Sequence, residues 1–133
     1  MLDKAPTGIR GFDEITHGGI PRGRTTLVAG NAGSGKTTLA MHFLTNGAEH
    51  LEEPGVFVSF EESPRELAEN FAPFGIDLQA AMDRNRIAVE YLQLAPMGQV
   101  EAGSYSLEGL FLRLEAAIRA LDAKRVVLDT LES

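Results

Sequence analysis

The sequence predicts an α/β fold, a mainly parallel sheet flanked by helices. Two observations carry that prediction. Short apolar, β-branched runs alternate with longer stretches of helical periodicity along the 133 residues. Between the first such run and the first such stretch lies GNAGSGKT, residues 30–37, which fits the phosphate-loop pattern G-x-x-x-x-G-K-[ST]. With glycine near 7% of average usage, a chance match is expected on the order of once per 10⁴ start positions or fewer. The strand–loop–helix context that the motif needs is present as well.

Residues 1–23 are rich in Gly, Pro and charge. Gly18, Gly19 and Pro21 act as breakers, and Phe12 and Ile15 can anchor a short helical turn. Residues 24–29, RTTLVA, read as the first strand. A helix follows over 36–50, with Leu39, Phe43, Gly47/Ala48 and Leu51 at the spacing of one buried face. Glu52, Glu53, Pro54 and Gly55 make a turn into a strand at 56–60, apolar throughout as a strand covered on both faces should be. Ser63 caps the next helix, with Pro64 at its first position and Glu66 completing a capping box. Leu67, Phe71 and Phe74 are its apolar residues, and Pro73 bends or ends it before Gly75. A short helix over 76–82, a strand over 86–92 and a polar, Gly-containing loop over 93–105 come next. Ser106 opens a helix with Leu107, Leu110/Phe111, Leu114, Ala117/Ile118 and Leu121 on one face. The last strand is 125–129. Strands alternating with helices imply right-handed parallel crossovers. The length is that of one domain, 1–133, divided into an N-terminal segment 1–23 and a phosphate-loop core 24–133.

The chemistry of the loop follows from its residue types. Gly30, Gly33 and Gly35 allow tight turns, so the backbone N–H groups from Gly30 through Asn31, Ala32, Gly33, Ser34 and Gly35 approach a polyphosphate. Lys36 adds a cation for the β- and γ-phosphates, and the Thr37 hydroxyl can ligate Mg²⁺. A helix starting near Gly35 aims its positive end at the same anion. In a parallel α/β sheet, ligands bind beyond the carboxyl ends of the strands, and acids stand at two of these ends. Asp129 closes the run Val126-Val127-Leu128, the Walker B pattern whose acid holds Mg²⁺. Glu61 and Glu62 close the second strand, where one can polarise an attacking water as general base. Glu61 is the first choice, with Glu62 supporting. The other reading of the pair is of solvated strand-end charges favouring the helix at Pro64. His17, His42 and His50 lack metal-ligand spacing, Arg22 and Arg24 read as solvated or paired, and Lys124-Arg125 reads as a solubilising edge.

Composition sets the bounds. There are no cysteines, which excludes disulfides and thiolate metal sites and is compatible with a reducing cytoplasm, the expected location. No apolar run approaches the ~20 residues of a membrane span, and the N-terminus lacks a signal-peptide core. A formal charge of −7 argues against a broad nucleic-acid surface, so no nucleic-acid or membrane partner is expected.

The stretch from Thr7 to Ser133 resembles the first part of an ATPase domain of the KaiC family, a RecA-like family. The resemblance rests on TGIRGFDEITHGGIPRGRTTLVAG before the loop, GNAGSGKTTLAMHFLTNGA through it, EEPGVFVSFEESPRELAENFAPFGIDL around the double glutamate, and RVVLDTLES at the Walker B. It implies a RecA-like P-loop NTPase truncated after the Walker B strand. Such a domain hydrolyses ATP slowly with Mg²⁺, as part of a homo-hexameric ring with ATP between neighbours. It carries phosphate binding onto Gly33 to Thr38, so Thr38 joins the set, Mg²⁺ onto Thr37 and Asp129, and catalysis onto Glu61 and Glu62. One nucleotide-contact position, commonly Ser in the clock proteins, falls on Pro73. In RecA-like sheets the strand after Walker B inserts between the Walker B and phosphate-loop strands. This chain is therefore expected to leave backbone unpaired, to pair those two strands directly, or to exchange strands between chains. Two alternatives share the motifs. A RadA-type DNA repair ATPase would show DNA-stimulated hydrolysis, and a non-catalytic nucleotide-binding assembly module would bind without turnover.

Overall fold

Three parallel strands organise the molecule, in a computed structural model that describes residues 3–31, 33–92 and 107–129. In chain order the elements are β1 (Lys4–Ala5), α1 (Phe12–Ile15), β2 (Ile20–Pro21), α2 (Lys36–His50), β3 (Gly55–Ser59) and α3 (Pro64–Phe71). After a 3₁₀ turn at Ala72–Phe74 come α4 (Leu78–Asp83), β4 (Ile87–Tyr91), α5 (Leu107–Leu121) and β5 (Arg125–Leu128). β3 is central, with β4 and β5 parallel on either side. Gly55 lies level with Ile87 and Arg125, and Val58 with Glu90 and Leu128. β1 and β2 form a separate antiparallel pair.

All five residues of β3 are buried because both faces are covered. Alternation of the pleat sends Phe57 into one core with Met41 and Leu44 of α2, Leu67 and Phe71 of α3, and Leu78 of α4. Val56 and Val58 enter the other, under Leu110, Leu114, Ala117 and Ile118 of α5. Burying each such side chain contributes roughly 1.5–3 kcal/mol. α3 starts where its capping box requires: the Ser63 hydroxyl accepts from Glu66 N–H at 3.2 Å, and Glu66 returns the bond to Ser63 N–H at 3.1 Å. Pro73 lies in the 3₁₀ turn that follows, and Gly75, at φ 79°, reverses the chain. Asp77 then caps α4.

The structure corrects three expectations. Residues 24–29 are not a strand of the sheet: no strand is formed there and the whole segment is exposed, Leu27 by 85%. A strand exists only through ladder partners, and among the described residues none lies beside this run. Of the outcomes expected for such a sheet, unpaired backbone is the one observed. Arg125 is not a solubilising edge but is buried, 2% exposed. Ile15, read as an anchor of its turn, is 78% exposed, and Phe111, read as part of the apolar face of its helix, is 57% exposed. The loop over 93–105 and the start at Ser106 lie outside the described residues.

Candidate functional site

The loop and the helix it feeds form one device. Gly33 (φ 83°) and Gly35 (φ 94°) adopt the left-handed backbone that side chains resist, and the turn between them delivers α2 at Lys36. Ser34 N–H donates to the Asn31 carbonyl at 3.0 Å, and Lys36 Nζ donates to the Gly30 carbonyl at 2.8 Å. An open cavity of about 230 Å³ is lined by Gly33, Ser34, Gly35, Lys36, Thr37 and Thr38. The N-terminal turn of a 15-residue helix, the positive end of its dipole, forms part of the lining. Ala32 lies outside the described residues.

Asp129 stands beside Thr37, one of the residues that line this cavity. Thr37 Oγ1 donates to Asp129, 3.3 Å from Oδ2 and 3.4 Å from Oδ1, across 92 residues of sequence. Asp129 is positioned by the ladder, since its N–H donates to Val58 O at 3.0 Å, one residue past the end of β5. A hydroxyl and a carboxylate beside a phosphate cradle are hard oxygen donors, the chemistry that suits Mg²⁺. Among the described residues no cluster of three or more His, Cys, Asp or Glu could hold a metal. A cation here would be held by Thr37, Asp129 and the phosphates themselves.

The two glutamates are placed differently. β3 and β5 run parallel, so Glu61 and Glu62 leave the sheet at the same edge as Asp129. Glu61 is exposed. The Glu62 carboxylate accepts from Asn70 Nδ2 at 2.7 Å, and its N–H donates to Ser59 Oγ at 3.1 Å, which turns it toward α3.

At the opposite edge of the sheet sits a charged network that the sequence did not announce. The Arg125 side chain, 1% exposed, donates from Nε to Glu53 at 2.9 Å and from Nη1 to the Phe43 carbonyl at 2.9 Å. Its guanidinium carbon stands 4.5 Å from the Phe43 ring centroid. Arg22 reaches the other Glu53 oxygen at 3.0 Å. Burial alone would raise the Glu53 pKa, but the hydrogen bonds and charges of Arg125 and Arg22 outweigh it and hold the carboxyl below its ordinary value. Asp13 is likewise held low. Burial opposes ionisation there, but the Thr7 hydroxyl, the Thr7 and Gly8 N–H groups and the Arg125 charge prevail.

The KaiC ATPase family model matches residues 5–133. The chain belongs to the KaiC ATPase family. It is 46% identical over 131 residues to the circadian clock oscillator protein KaiC of Parasynechococcus marenigrum, covering 98% of this chain and 26% of that protein. It is 49% identical over 131 residues to the circadian clock protein KaiC2 of Synechocystis sp., covering 98% and 23%. The chain thus spans about a quarter of the length of these relatives. A family described as an ATPase agrees with the loop geometry. Among the described residues no helix is long and apolar enough to cross a membrane.

Proposed function

We propose that this chain binds ATP with Mg²⁺ at the 30–38 loop and supplies the hydrolytic half of a KaiC-type site. The observation that carries the reading is the meeting of Asp129 with Thr37, which lines the loop cavity. The loop N–H groups and Lys36 bind and orient the β- and γ-phosphates. Thr37 and Asp129 hold Mg²⁺, which when bound neutralises charge building on the phosphate oxygens. Glu61 accepts a proton from the water that attacks the γ-phosphorus as the bond to the ADP oxygen breaks, giving ADP and phosphate. The turn of Glu62 toward Asn70 supports Glu61 as the base and Glu62 as its neighbour in support. The longer relatives carry circadian clock names. The assembly that belongs to this reading is a homo-hexameric ring in the cytoplasm, with a signalling or clock-type output.

Two variants test this. Glu61→Gln is expected to lower turnover by on the order of 10²-fold or more with nucleotide affinity kept, whereas Lys36→Ala is expected to weaken binding itself. Equal affinity of the parent and Lys36→Ala in a nucleotide titration would refute the loop assignment, and unchanged turnover in Glu61→Gln would remove Glu61 as base.

A further inference from the structure

We propose that Arg125 is a positioning residue, which seats α2 against β5 and thereby holds Thr37 within reach of Asp129. The proposal rests on the nucleotide-site reading above for its functional meaning, though not for its geometry. α2 and β5 pack through Val127 with Met41, Leu44 and Ala48, and polar contacts join them at two levels. At one end of the pair Thr37 meets Asp129. At the other, Arg125 Nη1 donates to the Phe43 carbonyl of α2, its guanidinium stacks on the Phe43 ring, and Nε is held by Glu53. The two levels are separated by about 9 Å along the helix, from Thr37 to Phe43, and by about 13 Å along the strand, from Arg125 to Asp129. A rigid helix fixed near one end has its other end fixed too.

The apolar packing of Val127 also joins β5 to α2, and one observation marks Arg125 as a specific tie beside it. The helix has a seat shaped for the guanidinium: a Cβ at Gly47 would stand 2.5 Å from both Arg125 Cδ and Nε. Helix propensity favours alanine over glycine at such an interior position, so the glycine answers to the arginine. The network extends outward through Glu53 to Arg22, whose Nε donates to the Lys4 carbonyl, so the N-terminal segment is tied to the same point.

The chain contains no cysteine, so an engineered pair reports without background. In a Thr37→Cys/Asp129→Cys protein, the rate of disulfide formation under mild oxidation measures how often the two positions meet. Adding Arg125→Lys, which keeps the charge but loses the fork onto Phe43, is expected to slow closure by on the order of tenfold. Gly47→Ala is expected to slow it similarly, and to add nothing once Arg125→Met is present. The second readout uses native Thr37 and Asp129. Titration of a fluorescent ATP analogue with Mg²⁺ and with EDTA should show the Mg²⁺-dependent gain in affinity reduced on the order of tenfold in Arg125→Lys, with the EDTA value unchanged. A merely structural role would move both values together. Equal closure rates in parent and folded Arg125→Lys overturn the positioning role, as does an unchanged Mg²⁺-dependent gain in a parent that binds nucleotide. Should the parent bind no nucleotide while closure still depends on Arg125, the nucleotide reading falls and the positioning role stands. If Arg125→Met does not fold, Arg125→Lys and Gly47→Ala, checked by circular dichroism, decide alone.

Discussion

β3 and residues 24–29 are both rich in apolar and β-branched side chains, and they end in opposite surroundings. Every residue of β3 is buried between two helical layers, whereas residues 24–29 are exposed from end to end. Local propensity is similar; what differs is neighbours. β3 has a parallel partner on each side, and ladder bonds together with two covered faces turn its pattern into structure. An apolar run is thus an offer to form a strand, and tertiary pairing decides whether it is taken up.

The sharpest way to break this comparison is truncation on both sides of it. Phe57→Ala is expected to destabilise the fold by ~3–5 kcal/mol in a urea titration, while Leu27→Ala should stay within about 0.5 kcal/mol. A large loss for Leu27→Ala would mean that 24–29 is packed in solution.

A smaller effect concerns acid. Glu53 and Asp13 both have folded pKa values below their unfolded ones, 4.5 and 3.8 being the ordinary values. Their contribution is therefore complete above the unfolded values and is lost as pH falls through the lower folded ones. Thermal melts taken from about pH 5 down to about pH 3 should fall more steeply for the parent than for Glu53→Gln. The variant itself should be less stable near neutrality, because Arg125 loses its carboxylate. A parallel pair of curves would show that Glu53 does not carry the acid response. The smallest effect is at the cap, where Ser63→Ala should cost about 1 kcal/mol and leave nucleotide binding unchanged, as a titration of each can check.

Local signals in the sequence held. The helix at Lys36–His50 has the expected bounds, although its buried face centres on Met41, Leu44 and Ala48 while Leu51 is exposed, and α3 begins at its capping box. The phosphate cavity was legible because a single contiguous motif builds it. Non-local facts were not. The pairing of 24–29 depends on a neighbouring strand that the run itself cannot encode. Arg125 beside Lys124 looks like any charged strand start, and only Glu53, 72 residues earlier, and Phe43 reveal it as buried. The one local hint was Gly47, a glycine in a helix interior where alanine would be favoured. The two-residue strands β1 and β2 are too short for any period to show.

The span of 92 residues between Thr37 and Asp129 also has a meaning in time. At roughly 5–20 residues per second of synthesis, the ribosome makes the phosphate loop about 5–20 s before the acid that completes it. In that interval α2 can form locally, but β5 has yet to arrive. A cation site of the proposed kind would be finished only once β5 has paired with β3, so its occupancy by a metal–nucleotide pair would report a chain that has already folded.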